Sequence, residues 1–178
     1  CGDGVFLDSL KETGLLDKVS RIEAVEIEAP EAQKVSDRYK DTPTVKVINQ
    51  DFFEFYKEAL GKKTFDLILG NPPYIRYQYL KESQRECQAQ ILTSHGMKSN
   101  KLINAWVAFM VASVQMLSKR GKIAFVIPAE ILHVAYAEDL RLYLANHLAK
   151  ITLITFDQLV LPAIAQEVVV FIAEKADT

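Results

Sequence analysis

Apolar residues along this chain follow two alternating rhythms. Six short runs rich in β-branched and aromatic residues, at 21–27, 45–49, 65–69, 122–127, 150–156 and 167–173, have the length and character of strands. Between them, apolar residues recur at three- and four-residue steps. The longest such stretch sets Ile103, Trp106, Val107, Met110, Val111, Val114 and Leu117 on one broad stripe, which predicts a buried helix. A second helix is predicted over 137–148, with Leu140, Leu144 and Leu148 on one face. A third opens at Pro30 and carries Val35 and Tyr39.

Strands alternating with helices imply an α/β fold around a mainly parallel sheet. Ligands of such sheets bind beyond the carboxyl ends of the strands, so functional residues are sought immediately after strands. The chain has 178 residues, the size of one domain with a sizeable core. It opens on Cys1-Gly2-Asp3-Gly4, a loop of the kind that follows a strand. The expectation is therefore a partial domain spanning 1–178, with an upstream first strand missing.

Composition narrows the picture further. Hydrophobic residues make up 49% and charged residues 25%, which excludes a disordered chain. The formal net charge of −2 provides no overall attraction to nucleic acid. The apolar stretch 103–117 is broken by Asn104, Ser113 and Gln115 and is too short to span a bilayer, and no signal-peptide pattern is visible, so no membrane association is expected. Cys1 and Cys87 are the two cysteines, without Cys-x-x-Cys spacing. His95, His133 and His147 form no His-x-x-x-His pair. No disulfide framework and no metal site are expected, and a reducing cytoplasm is the expected compartment.

Four strand ends carry candidate chemistry. The first is Gly2-Asp3-Gly4-Val5-Phe6-Leu7, in which paired glycines allow close backbone approach to a ligand at a helix N-terminus. Leu7 stands where a dinucleotide-binding loop has a third glycine, and an ordinary turn also fits. The second is Glu26, between Val25 and Ile27. A carboxylate at a strand end can accept from a ribose diol, or can simply be solvated. The third is Asn49-Gln50-Asp51-Phe52-Phe53-Glu54. Asp51 and Glu54 have capping-box spacing, and Asp51 with Phe52 also suits an adenine amino group and ring.

The fourth signal is the most specific. An apolar strand runs into Gly70-Asn71-Pro72-Pro73-Tyr74. Residues before proline are pushed to extended geometry, and proline donates no N–H. Two prolines make a stiff ledge with outward carbonyls, Asn71 adds a side-chain acceptor, and Tyr74 adds a flat ring. An acceptor-rich edge beside a stacking platform suits a planar amine.

With these residues the chain resembles the Asn-Pro-Pro-Tyr class of adenine-N6 DNA methyltransferases of bacterial restriction–modification systems. The similarity extends to 104–109, to Gly121-Lys122-Ile123-Ala124-Phe125-Val126-Ile127-Pro128-Ala129-Glu130, and to Leu140-Arg141-Leu142-Tyr143-Leu144. The resemblance implies a Rossmann-like class I methyltransferase fold, with helices on both faces of a mainly parallel sheet and an antiparallel last strand. It implies S-adenosylmethionine as cofactor, held by Cys1, Gly2, Gly4, Glu26, Ile27, Asp51 and Phe52. It also implies Asn71, Pro72 and Tyr74 as catalytic residues, and a base pocket of Pro73, Tyr74 and Leu161. Family members often carry an aromatic residue where Leu161 stands.

The implied partner is double-stranded DNA, reached mainly through a downstream target-recognition domain expected to lie outside this chain. The segment 75–101, read as a locally basic loop, is a second candidate. It holds Arg76, Lys81, Arg85, Lys98 and Lys101 against Glu82 and Glu86, with Tyr77 and Tyr79 interleaved. A solvated helix face is the competing reading of that segment. Rival enzymes are a protein glutamine N5-methyltransferase, which shares Asn-Pro-Pro-Tyr, and an RNA base-amine methyltransferase. A non-catalytic subunit with this fold is a rival of another class.

Overall fold

The computed structural model describes residues 1–156 and 166–177, and all six predicted strands form within them. They are β1 (Ile22–Glu26), β2 (Val45–Asn49), β3 (Phe65–Gly70), β4 (Leu117–Pro128), β5 (Leu148–Ile154) and β6 (Val168–Lys175). The described helices are α1 (Val5–Glu12), α2 (Ala29–Arg38), α3 (Phe52–Ala59), α4 (Glu82–Thr93), α5 (Ala105–Met116) and α6 (Glu138–His147), joined by short 3-10 turns. The chain divides into two compact units, Cys1–Glu58 and Ala59–Thr178.

In the first unit, β1 and β2 pair in parallel, with Ala24 opposite Val47 and Glu26 opposite Asn49. Helix α2 connects them and packs on both strands, as a parallel crossover requires. Leu7, Leu16, Ala24, Val35 and Tyr39 form the buried core here, with Leu10, Ile22, Val45 and Val47 packed around it. Pro30 lies in the first turn of α2, where its missing N–H costs nothing.

The second unit is built on the sheet β3-β4-β6-β5. Strand β3 is parallel to β4, whereas β6 runs antiparallel to both β4 and β5. The antiparallel last strand is thus present. Helix α5 is apolar on nearly every side, and Trp106, Met110, Val111 and Val114 are fully enclosed. The single broad stripe read from the sequence is in fact an almost completely buried helix, packed on α4 and β4. Truncating a buried residue such as Trp106 to alanine typically costs about 3–5 kcal/mol.

Strand β4 begins five residues before the predicted 122–127. Helix α5 runs directly into Leu117, which pairs with Phe65, and then Leu67 pairs with Lys122. The intervening excursion is made by Arg120, in the left-handed region at φ 57°, and by Gly121. A Cβ on Gly121 would lie 2.9 Å from the Phe65 carbonyl, so no side chain fits there.

The segment 75–101 corrects the sequence reading. It is not one loop: after a 3-10 turn at Tyr77–Tyr79 it forms α4, whose Cys87, Gln88, Ile91 and Leu92 are buried. Four inward positions spaced i, i+1, i+4, i+5 make a helix that docks, while its charged residues remain outside.

Candidate active site

In the first unit, the glycine loop is tied to the end of β1. The Gly2 amide donates to Glu26 Oε2 at 2.6 Å, the Cys1 nitrogen donates to the same oxygen at 2.9 Å, and the Glu28 amide donates to Oε1 at 2.9 Å. Burial pushes the Glu26 carboxyl up, but hydrogen bonds from the Glu28 amide, the Cys1 nitrogen and the Gly2 amide outweigh it. The group is held below its ordinary value of 4.5. The sequence reading left this carboxylate either a ribose diol or solvent as partner, and the structure adds a third role, anchoring the loop.

The other side of the loop is held by Arg38, which the sequence reading did not single out. Its Nη1 donates to the Asp3 carbonyl at 3.0 Å and to Asp8 Oδ2 at 2.6 Å, and the Tyr39 hydroxyl donates to Asp8 Oδ1 at 2.6 Å. Burial, then the Asp8 carboxylate, pushes the Tyr39 hydroxyl up to about 12. Gly4 adopts φ 91°, and a Cβ there would come within 3.1 Å of Val35 Cγ2, so the loop closes against α2 only with glycine. Gly2 is different: at φ 57° it faces open space, with nothing within 4 Å of where a Cβ would stand.

Strand β2 ends beside β1. Asn49 Nδ2 donates to the Glu26 and Ile27 carbonyls at 2.9 and 3.0 Å, and the Gln50 amide donates to the Glu26 carbonyl at 3.0 Å. Asp51 Oδ1 caps α3, accepting from the Phe53 amide at 2.8 Å and the Glu54 amide at 3.3 Å. The Asp51 half of the capping box read from the spacing is present, whereas Glu54 Oε1 accepts from Lys57 Nζ at 2.9 Å. Phe52 is half-buried and meets Phe53 edge to face, with centroids 5.9 Å apart. Cys1, Gly2, Gly4, Glu26, Ile27, Asp51 and Phe52 thus cluster at one edge of the β1–β2 pair.

In the second unit, Asn71 to Tyr74 leave β3 outside any helix or strand. The last residue of β3, Gly70, faces Phe125: a Cβ would lie 3.1 Å from the ring's Cε1, so glycine lets this aromatic cover the strand end. Pro72 is buried, Pro73 and Tyr74 are half-buried, and Asn71 is exposed, its side chain without a hydrogen-bond partner among the described residues. The Tyr74 hydroxyl donates to the Val126 carbonyl of β4 at 3.1 Å. Burial pushes that hydroxyl up to about 12. Tyr74 was read from the sequence as a ring alone, and the hydroxyl turns out to be its anchor. The remaining base-pocket residue, Leu161, lies outside the described residues.

A polar group at the carboxyl end of β4 was also missed. The Tyr136 hydroxyl donates to Glu130 Oε2, and Gln166 Nε2 donates to Oε1 of the same carboxylate at 3.3 Å. Burial and then Glu130 push the Tyr136 hydroxyl up. Nearby, the Ala105 amide at the start of α5 donates to the Ile75 carbonyl at 2.9 Å, and Asn104 Oδ1 is buried without a partner. Only Glu130 fell within a noted motif. Tyr136 follows six residues later across two 3-10 turns, where no periodicity signals it.

Comparison with known proteins gives this geometry its context. A family model described as Eco57I restriction-modification methylase matches residues 9–160. The chain belongs to that family. Among its relatives, the type II methyltransferase M.HincII of Haemophilus influenzae is 29% identical over 171 residues, which is 96% of this chain and 30% of that protein. The chain therefore spans about 30% of the length of such relatives.

Solved structures show the fold. The methyltransferase subunit of a type I restriction-modification system from Streptococcus thermophilus matches with a TM-score of 0.77 at 18% identity, covering 98% of this chain and 38% of that one. A class I S-adenosylmethionine-dependent methyltransferase from Listeria monocytogenes matches with a TM-score of 0.76 at 14% identity, covering 100% of this chain and 52% of that one. The family member described here has the α/β Rossmann-like fold of class I S-adenosylmethionine-dependent methyltransferases, with a mixed sheet. Among the described residues, no helix is long and apolar enough to cross a membrane, and no group of three or more His, Cys, Asp or Glu residues is placed to hold a metal ion.

Proposed function

We propose that this chain carries the methyl-transfer chemistry of a type II restriction–modification enzyme, acting on the exocyclic N6 of an adenine extruded from duplex DNA. The observation that supports this reading best is the Asn-Pro-Pro-Tyr segment. It follows β3 directly, with Asn71 exposed and Tyr74 pinned to β4 through the Val126 carbonyl.

The residues fit S-adenosylmethionine. Glu26 Oε1 accepts one hydrogen bond and retains capacity for a second, as a ribose hydroxyl requires. Gly2 leaves the loop backbone open to a ligand. Glu26 and Ile27 would hold the ribose, Asp51 and Phe52 the adenine, and Cys1, Gly2 and Gly4 the methionine part. When bound, the cofactor supplies an electrophilic methyl group on sulfur.

The rest is done by the chain's own residues. The lone pair of adenine N6 is delocalised into the ring, so the amine is a weak nucleophile. Asn71 Oδ1 and the Pro72 carbonyl accept hydrogen bonds from its two N–H groups, which favours a tetrahedral nitrogen and frees the lone pair, and one N6 proton leaves to solvent once the methyl group is on the nitrogen. These acceptors are preorganised by the prolines and stabilise the positive charge that develops at N6. Extruding the base costs a few kcal/mol. Stacking on the fixed ring of Tyr74 returns about 1–3 kcal/mol. DNA is the substrate this reading favours over a protein glutamine or an RNA base, because the family match covers the strand and helix that follow the motif.

The test uses the whole protein with methyl-labelled cofactor, offered duplex DNA, RNA and total protein in parallel. Label is expected in DNA. Label in protein or RNA with none in DNA would overturn the reading.

A further inference from the structure

The segment that leaves the Asn-Pro-Pro-Tyr motif presents an aromatic side chain to solvent on a braced support. Tyr79 is 72% exposed, the most exposed large aromatic residue among those described, and its side chain has no partner among them. An aromatic residue so exposed on a mobile loop would be unremarkable, but this one is held in place.

The 3-10 turn Tyr77–Tyr79 is fixed from below by Arg85 of α4. Its Nε donates to the Tyr77 carbonyl at 3.1 Å, its Nη2 donates to the Gln78 carbonyl at 2.8 Å, and its guanidinium lies 5.1 Å over the Tyr77 ring. The Tyr79 amide closes the turn on the Arg76 carbonyl at 2.9 Å. Leu80, the next residue, is buried at 4% exposure and pins the far end. The near end is pinned where the Ala105 amide meets the Ile75 carbonyl. Two turn carbonyls and one ring engage Arg85, so the turn is built to hold its shape while the Tyr79 ring points outward.

The turn segment itself carries only positive charge, and the exposed Glu82 follows it directly. From Ile75 to Lys81 the charged residues are Arg76 and Lys81, both exposed, with no acid between them. An exposed ring between two exposed cations, a few residues beyond the motif that would receive an extruded base, matches a nucleic acid in both stacking and charge.

We propose that this turn is a DNA contact in which Tyr79 stacks on a base left exposed when the target nucleotide leaves the duplex, while Arg76 and Lys81 face the phosphates. The assignment rests on the function proposed above and adds to it: Tyr74 serves the extruded base, and Tyr79 the duplex it left. Rigidity matters here, because a preordered ring loses little freedom on stacking.

The experiment uses the whole protein with two sets of duplex oligonucleotides: 2-aminopurine at the target position, whose fluorescence rises on extrusion, and the matching adenine duplexes for methylation kinetics. Y79A is expected to lower the extruded fraction and kcat/KM on duplex DNA by about tenfold, in line with the loss of one base–aromatic stack. Y79F keeps the ring and is expected to recover most of both. A mismatch opposite the target makes extrusion cheaper and is expected to rescue Y79A. Wild-type extrusion and kcat/KM in Y79A would overturn the assignment. So would a lowered Tm with extrusion unchanged, which would make Tyr79 a packing residue of the whole protein. Absence of any methyl transfer to DNA by the wild-type protein is a different failure, because it removes the underlying function together with this assignment.

Discussion

The Tyr74 hydroxyl and the Val126 carbonyl are joined by a 3.1 Å hydrogen bond that ties the Asn-Pro-Pro-Tyr segment to the neighbouring parallel strand. This bond fixes the ring laterally, which two prolines alone do not. Y74F is therefore expected to lose about 1 kcal/mol of stability and to slow methyl transfer by a few-fold, since the ring stays but its anchor is gone. Y74A removes both and is expected to slow transfer far more. Steady-state kinetics with urea midpoints on both variants check this, and equal rates for Y74F and Y74A would argue against a stacking role.

Burial raises the Tyr74 hydroxyl from 10.0 to about 12. Because the folded value exceeds the unfolded one, the protonated donor's contribution is fully present below pH 10 and is lost as pH rises towards 12. Ultraviolet titration near 295 nm is expected to show one fewer late-ionising tyrosine in Y74F. An unchanged titration curve would contradict the buried, bonded hydroxyl.

Asn71 is exposed and unpaired among the described residues, so its removal should leave the fold intact. N71A is expected to reduce kcat by about 10²–10³-fold, because its acceptor acts on charge that develops at the amine. Cofactor affinity measured by calorimetry on the whole protein should be nearly unchanged. A variant that lost cofactor binding while kcat held would contradict the role.

Glu26 behaves in the opposite sense with pH. Its folded value lies below the ordinary 4.5, so its stabilisation is present above pH 4.5 and is lost as pH falls below that value. Wild-type stability is expected to decline more steeply than that of E26Q over this acid window. Parallel pH profiles of the urea midpoint would show that the carboxylate does not hold the glycine loop.

Gly4 is held at φ 91° against Val35. G4A forces an alanine into the left-handed region and brings its methyl to 3.1 Å from Val35 Cγ2, an expected cost of about 1–2 kcal/mol. Chemical denaturation measures it, and a neutral or stabilising G4A would show that the loop relaxes without strain.

The strands and the site differ in how much of them the sequence made legible. Strand ends carrying Glu26, Asp51 and Asn71 were readable because alternation, capping spacing and proline chemistry are local. The start of β4 at Leu117 was not, because α5 passes into it without a break and the excursion at Arg120 and Gly121 interrupts the alternation. Helix α4 was masked because one of its inward positions is Gln88, a polar residue, and its outward face is charged. Contacts between distant positions left no periodic trace. Arg38 reaches Asp3 across 35 residues, and Tyr74 reaches Val126 across 52. Such pairings depend on which elements the fold brings together.

The identity of the methylated atom is the most direct test. The whole protein is incubated with methyl-labelled cofactor and duplex DNA, the DNA is digested to nucleosides, and these are separated by mass spectrometry. N6-methyladenine as the labelled product is the expected result, formed about 10²–10³-fold more slowly when N71A is used. Label confined to a methylated cytosine, or found only in protein, would contradict transfer to adenine N6.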